Sequence, residues 1–250
     1  MALTAADPPR QPAVVPRVAR IAPGGSVFHV LNRANGHGRL FETPGEYREF
    51  LAILGECAAL DTMRILAFCA MPNHWHLLLW PRGEGDLARF VHRVALRHTQ
   101  RWHARNDSKG RGHLYQGRYK SFPVATDHHL LTVCRYIERN PLRANLVERA
   151  EFWPWSSAAE HSRASGSERV NIPTSGSVPL APLPVRLPSH WAELLHRPQN
   201  QGELDAMRSC VRQGLPCGST IWRRAAAREL GIRLEPGRNG RPPKNGSAAA

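Results

Sequence analysis

Apolar and polar positions between residues 26 and 139 follow two different periods that alternate along the chain. Runs that alternate, or that are continuously apolar and β-branched, predict strands over 26–33, 64–70, 74–80 and 119–125. Apolar positions three to four residues apart predict helices over 46–60, 86–105 and 127–139. The order βαββαβα, with a tight turn at Pro72-Asn73, is typical of a ferredoxin-like α+β fold, in which helices pack on one face of an antiparallel sheet.

Composition divides the rest of the chain. Residues 1–22 are rich in Pro, Ala and Arg without periodicity, and 237–250 are again basic, so both are predicted to be disordered tails. Ser, Gly and Pro dominate 161–188, which predicts a linker between a main domain at 23–160 and an extension at 189–236. A helix predicted over 220–230 makes that extension small, helical and basic.

The charge of the chain indicates the kind of partner it binds. It has 34 Lys and Arg against 20 Asp and Glu, and the net charge of +14 favours a polyanion, nucleic acid before an anionic membrane. No apolar stretch approaches the roughly 18 residues of a membrane span, and the N-terminus lacks the apolar core of a secretory signal. The five cysteines form no CxxC pair, which disfavours a disulfide framework and a zinc finger. We therefore expect a cytoplasmic protein that does not bind membranes.

The tripeptide His74-Trp75-His76 is the sharpest local sign of chemistry. Alternate residues of a strand point to the same face, so both imidazoles are expected to project together and Trp75 to the other side. Two imidazoles on one face suit a divalent cation. Two polar residues on the wet face of a half-exposed strand give the same pattern, and the chain has 13 histidines.

Tyr136 and Asn140 lie four residues apart and therefore on one face of the predicted helix or its continuation. A phenol and an amide oxygen beside a two-histidine metal site would make a phosphoryl-transfer site, with the phenolate as nucleophile. By spacing alone, however, an aromatic side chain packed on the sheet is the better interpretation of Tyr136.

Longer stretches around these residues resemble the one-tyrosine HUH transposases. MPNHWHLLLW is similar to their histidine-hydrophobic-histidine motif, and CRYIERNPLRANLV is similar to the nucleophile helix of the subgroup called REP-associated tyrosine transposases. Further similar stretches are FHVLNR, LYQGRYKSF, FWPWSS, and QGLPCGSTIWRRAAARELGI followed by GRPPK. The resemblance covers about 26–245, nearly all of the chain outside its predicted tails.

The resemblance implies an HUH nuclease core that acts as a metal-dependent, single-stranded DNA endonuclease and strand transferase on hairpin-forming repeats. It implies that Tyr136 attacks the scissile phosphate, leaving a 5′-phosphotyrosine and a free 3′-OH. His74, His76 and Asn140 would bind the metal, typically Mg²⁺ or Mn²⁺. Two imidazoles are softer than these ions prefer, so Zn²⁺ or Ni²⁺ is expected to occupy the same site in some preparations.

The chain has only four tyrosines, which limits the alternatives to Tyr136. Tyr47 is expected in the core. Tyr115 and Tyr119 lie in a basic loop and strand, where either would stack on a base, and Tyr119 is the second candidate nucleophile. Tyr136 is preferred because it alone has a potential metal ligand one helical turn away.

Arginine recurs every fourth residue along the predicted helix 86–105. We call this set the arginine row: Arg89, Arg93, Arg97, Arg101 and Arg105. Because the helix places no acidic residue among them, we predict a track for the DNA backbone, with a solvated helix face as the alternative. The other predicted DNA contacts are Arg33, Arg118, Tyr119, Lys120, Arg223, Arg224 and Arg241. Gly240-Arg241-Pro242 resembles a minor-groove hook.

Two other functions remain open. One is a domesticated regulator that binds repeat DNA without catalysis, and the intact set His74, His76, Tyr136 and Asn140 favours the enzyme over it. The other is an unrelated metal hydrolase, which needs acidic ligands; Asp127 is the only plausible one and is expected to cap a helix. We expect a monomer because the extension covers surface that a dimer would use; the alternative is a dimer that exchanges the tyrosine helix.

Overall fold

The computed structural model describes residues 22–166 and 178–234, apart from His37, Lys109 and Arg111. One four-stranded antiparallel sheet has the order β2-β3-β1-β4. Its strands are β1 (Val27–Arg33), β2 (Arg64–Met71), β3 (His74–Trp80) and β4 (Lys120–Val124). The predicted α+β fold is confirmed, and the observed ends of these elements differ from the predicted ends by one or two residues.

Three helices connect or follow these strands: α1 (Pro44–Leu60), α2 (Asp86–Arg105) and α3 (His128–Glu138). Side-chain hydrogen bonds cap the N-termini of two of these helices. Thr43 and Glu46 form a reciprocal capping box on α1, and Asp127 accepts from the backbone N–H of His129 at the start of α3. A single further turn, α4 (Asn140–Arg143), follows α3 after Arg139. None of the helices among the described residues combines the length and apolar character that a bilayer span requires.

Helices cover both faces of the sheet, which corrects the prediction that they share one face. The first core lies under α1 and α2 and includes Phe28 of β1 and Trp75 of β3. The second core lies under α3 and includes Leu31 of β1 and Leu78 of β3. The physical reason is the apolar character of β2, which is buried at every position except its first, so neither of its faces meets water.

The C-terminal region packs on the sheet domain. Its elements are a 3-10 helix (Ala150–Phe152), α5 (Ala158–Ala164), α6 (Trp191–His196), α7 (Gln201–Gln213) and α8 (Thr220–Glu229). Trp191 and Leu195 of α6 are fully buried in the second core. The described part of the predicted linker also differs from a free segment, because the N–H of Ala181 donates to the carbonyl of Ile65 at 2.8 Å. The predicted tails lie outside the described residues, apart from Ala22.

Segments of this region lie along both edges of the sheet. Beside β2, Leu180 forms a parallel bridge with Ile65, and Ser156 forms an antiparallel bridge with Cys69. Beside β4, Cys217 forms a parallel bridge with Val124, and the Cys217 N–H donates to Pro123 at 2.9 Å. The backbone groups on the outer sides of these two strands are therefore paired in part with the C-terminal half of the chain.

Candidate active site

β3 presents two histidines toward α3. The ring centroids of His74 and His76 lie 4.9 Å apart. Trp75 points into the first core, is fully buried, and donates from Nε1 to the Tyr115 hydroxyl at 3.0 Å. This is the arrangement that strand alternation predicts, because successive side chains of a strand point to opposite faces.

Tyr136 of α3 lies beside these imidazoles. Its ring centroid is 6.0 Å from that of His76, and the two rings are nearly perpendicular. Asn140 follows one helical turn later, and its Nδ2 donates to the carbonyl oxygens of Tyr136 and Ile137 at 3.0 and 3.2 Å. The Asn140 side chain also acts on His74, where it opposes the effect of burial on the pKa of the imidazole. The structure thus brings His74, His76, Tyr136 and Asn140 together.

Each imidazole is held through its Nδ1 atom. His74 Nδ1 lies 2.7 Å from Asn73 Oδ1, and His76 Nδ1 lies 2.9 Å from His29 Nε2. The Nε2 atom of each ring is left as the potential metal ligand, and such outer partners are what usually fix the orientation of metal-binding histidines. Two imidazole nitrogens and the amide oxygen of Asn140 form a donor set that fits a divalent cation.

Burial keeps these histidines neutral, the form in which an imidazole binds a metal. Burial, with smaller contributions from Arg33 and Arg143, lowers the pKa of His74 to about 4. Burial, together with the neighbouring histidines, lowers the pKa of His76 well below its ordinary value. Burial alone lowers the pKa of His29 to about 3.

The sequence reasoning missed two residues of this site. His29 of β1 is fully buried, and its ring centroid lies 6.3 Å from that of Tyr136. The guanidinium carbon of Arg143 lies 4.4 Å from the centre of the Tyr136 ring, and its Nη2 donates to Asn140 Oδ1. Alternation along FHVLNR and the position of Arg143 three residues after Asn140 were the signals available for them.

Three of the predicted DNA contacts line one cleft beside the site. Arg33, Arg118 and Lys120 lie around a cavity of about 490 Å³ whose opposite wall includes Val211 of α7. Arg33 is paired in register with His74, so the cleft adjoins the histidines. Tyr119 packs against the first core instead, so this second candidate nucleophile lies on the side of the sheet away from Tyr136.

The members of the arginine row have acidic partners in the structure. Acidic partners that the helix does not supply come mainly from α1 and the residue that follows it. The pairs are Arg89 with Asp61 and Asp86, Arg93 with Asp61, Arg97 with Glu56, Arg101 with Glu49, and Arg105 with Glu46 and Glu49. The row also belongs to α2, on the sheet face opposite Tyr136. Its positive charge is therefore largely compensated within the protein, and DNA contact by the row stays a prediction.

The remaining predicted contacts are distant in the chain from this site. Arg224 of α8 is exposed, whereas Arg223 is half-buried near Cys217. Arg241 lies outside the described residues.

Two further groups of potential metal ligands lie elsewhere among the described residues. Asp127, His128 and His129 form the first, and there Asp127 caps α3, as expected. Cys134, Glu138 and His161 form the second, which is buried. We call Glu138 and its hydrogen-bond donors the Glu138 cluster: Ser157 Oγ and His161 Nδ1 each at 2.5 Å, and Trp191 Nε1 at 2.9 Å. This cluster ties α5 and α6 to the helix that carries Tyr136.

The fold and the site define a class of protein, an α+β domain with two strand histidines facing a helical tyrosine. Residues 26–140 match the family described as Transposase IS200 like. The matched segment is a little under half of the chain, and over that length the chain is similar to the IS200-like transposases. No curated protein matched the chain.

Two solved structures are similar to the chain. One is described as "Structure of the REP associates tyrosine transposase bound to a REP hairpin"; it has 19% identity and a TM-score of 0.48, covering 62% of this chain and 89% of that chain. The other is a candidate transposase from Deinococcus radiodurans R1, with 18% identity and a TM-score of 0.36, covering 50% of this chain and 94% of that chain. Both TM-scores lie below 0.5, so the similarity to transposases rests on the sequence match over 26–140.

Proposed function

We propose that the protein is a metal-dependent, single-strand-specific DNA endonuclease and strand transferase of the REP-associated tyrosine transposase type. The observation that carries this proposal is the position of Tyr136, 6.0 Å from His76 between ring centroids. The Asn140 amide beside His74 adds the third potential ligand. Similarity of the 26–140 segment to a transposase family supports DNA as the substrate.

Tyr136 supplies the nucleophile. Its Oη forms a bond to the phosphorus of the scissile phosphodiester while the bond from phosphorus to the 3′ oxygen breaks. The phenolic proton passes to solvent, and the departing 3′ oxygen takes up a proton. The products are a 5′-phosphotyrosine and a free 3′-OH. Because one phosphodiester has replaced another, a 3′-OH can attack the phosphotyrosine in the reverse step and join two strands.

His74, His76 and Asn140 would hold the divalent ion, Mg²⁺ or Mn²⁺. A divalent ion held by these residues would polarise the scissile phosphate and would offset charge in the transition state. The side chains keep the site ordered: Asn73 and His29 fix the imidazole rings, and the α3 carbonyls fix the amide. No other cofactor is part of the proposal.

The cleft beside the site supports binding of a DNA strand. Arg33, Arg118 and Lys120 line it, and these side chains suit a phosphate backbone that leads to Tyr136. α7 contributes Val211 to the opposite wall, which gives the C-terminal extension a part in holding the hairpin.

The test is an incubation of the protein with single-stranded hairpin DNA, labelled at either its 5′ or its 3′ end, and Mn²⁺, followed by a denaturing gel. We expect a metal-dependent, protein-linked band from the wild type and from Tyr119→Phe, and none from Tyr136→Phe. A band that persists in Tyr136→Phe and disappears in Tyr119→Phe would move the nucleophile to Tyr119. Binding without a covalent band on any repeat hairpin would instead favour the non-catalytic regulator.

The proposed enzyme acts as a monomer. The C-terminal region covers parts of both sheet edges and of the second core, which are surfaces that a partner subunit would need. Light scattering should give one chain per particle, and a stable dimer would contradict this.

A further inference from the structure

Arg143 differs from the arginine row in its surroundings. Each member of the arginine row faces at least one carboxylate. Among the described residues, Arg143 has no carboxylate partner, and its Nη1 atom is buried without a hydrogen-bond partner. A guanidinium stays charged in proteins, and burying a charge without a counter-charge is unfavourable. This side chain is therefore suited to receive an anion.

The position of Arg143 indicates which anion. Its guanidinium lies against the Tyr136 ring, with 4.4 Å between the guanidinium carbon and the ring centre. Its Nη2 is used by Asn140 Oδ1, which leaves Nη1 as the free donor beside the nucleophile and the potential metal ligand. An anion bound by Arg143 would therefore lie beside the Tyr136 ring.

We propose that Arg143 is a catalytic residue of strand cleavage, in which its Nη1 donates to a non-bridging oxygen of the scissile phosphate. This inference rests on the proposed function of the site. A phosphodiester carries one negative charge, and its non-bridging oxygens gain charge as Tyr136 Oη adds to phosphorus. Because Arg143 is held by Tyr136 and Asn140 before DNA arrives, its charge is fixed where that negative charge develops.

Charge distribution in the site supports this role. The two histidines of β3 are kept neutral by burial, and Asn140 carries no charge. Arg33 is another cation near the histidines, but it lines the cleft and is paired in register with His74. We therefore assign Arg33 to binding the strand and Arg143 to the reacting phosphate, so that their substitutions should affect different measured quantities.

The first experiment measures single-turnover formation of the covalent adduct and, separately, hairpin affinity. We expect Arg143→Gln to slow adduct formation about a hundredfold, with a smaller effect on affinity. Arg143→Lys should retain part of the rate because it keeps the charge but not the planar fork. Arg33→Gln should weaken affinity more than rate. Arg197→Gln, which removes one exposed charge from α6, is the net-charge control and should behave as the wild type.

The decisive comparison uses a substrate whose scissile phosphate is replaced by an uncharged methylphosphonate. If Arg143 offsets phosphate charge, the ratio of wild-type to Arg143→Gln rates should fall from about a hundred to a few on this substrate. A ratio that is the same on both substrates would show a purely structural role and overturn the proposal. Equal rates on the normal substrate would overturn it as well. Arg143→Lys allows the same comparison if Arg143→Gln does not fold.

A second measurement keeps this inference separate from the proposed function. In Tyr136→Phe protein, which cannot form the adduct, methylphosphonate is placed at each linkage of the strand in turn and the affinity is measured with and without Arg143→Gln. If Arg143 contacts one phosphate, methylphosphonate at that linkage should weaken binding when Arg143 is present. It should not weaken binding in the protein that carries Arg143→Gln. If the wild type forms no adduct but this coupling is found, the cleavage proposal fails and the phosphate contact stands. No coupling at any linkage overturns the contact.

Discussion

Replacing Glu138 with alanine should cost a large part of the stability of the protein. The Glu138 carboxylate is fully buried and accepts from Ser157, His161 and Trp191. Removing one partner of a buried ionic pair costs about 3–5 kcal/mol, because the remaining polar groups lose their partners without reaching water. For a chain of this size, each kcal/mol lowers the melting temperature by roughly 2–4 °C, so a fall of about 10 °C is expected.

The assay is urea denaturation of the full chain followed by tryptophan fluorescence, supported by thermal melting. The matched control is Glu193→Ala on α6, a carboxylate that is 69% exposed and lies 3.7 Å from Arg197. That change should cost less than about 0.5 kcal/mol. A loss for Glu138→Ala below about 1 kcal/mol, or equal to that of the control, would refute the interpretation of the Glu138 cluster as the tie between α3 and α6.

The same cluster makes a prediction about pH. Burial by itself lowers the pKa of His161, but the charge of Glu138 and its hydrogen bond outweigh burial and raise that pKa above its ordinary value. A raised pKa in the folded state adds stability that is complete below about pH 6.5 and is lost as the pH rises through the folded pKa. The free energy of unfolding of the wild type should therefore fall as the pH rises above about 6.5. The part of this fall that comes from His161 should be absent in His161→Gln.

Three further predictions concern other parts of the molecule. Burial, assisted by Arg105, lowers the pKa of His98 to about 3. His98 should therefore destabilise the wild type as the pH falls from about 6.5, by up to about 1.4 kcal/mol per pH unit. In a pH series of denaturation curves, the free energy of unfolding should depend less steeply on pH for His98→Gln than for the wild type. Arg118→Gln should lower the salt dependence of DNA affinity by about 0.7 in the log-log slope, whereas Arg197→Gln, which removes an exposed side chain paired with Glu193, should leave that slope unchanged. His76→Ala should weaken Mn²⁺ binding in an electron paramagnetic resonance titration, on the order of tenfold or more, and wild-type affinity in the variant would contradict the assignment of this ligand.

Periodicity was sufficient to predict the strands and the three large helices, because each side-chain pattern repeats within one element. The side of the sheet on which α3 packs was not predicted. RILAFCA and HWHLLLW contain almost no polar positions, a pattern of strands covered on both faces, yet the α+β order alone suggested one covered face. The segment 178–188 has the composition of a linker, and its pairing with β2 depends on tertiary contacts that composition does not encode.

The site shows the same division between local and long-range information. Strand alternation placed His74 and His76 together because both lie on one strand. Spacing within one element indicates which face His29 and Arg143 occupy. Their contact with the site depends on the register of β1 with β3 and on the packing of α4 against the Tyr136 ring. The carboxylate partners of the arginine row were not predicted for a related reason, since they lie largely on a different helix.

The segments along both sheet edges have a consequence for shortened forms of the protein. An unpaired edge strand offers a row of free N–H and C=O groups on which another chain can add a strand. Leu180 and Cys217 occupy part of the outer sides of β2 and β4, and removal of the chain beyond 166 would expose both of these strands at once. The 22–166 segment would also lose Trp191 from its second core, so it should associate through its strands when expressed alone. The C-terminal half is thus a protective covering for the sheet domain as well as a contributor to the basic cleft.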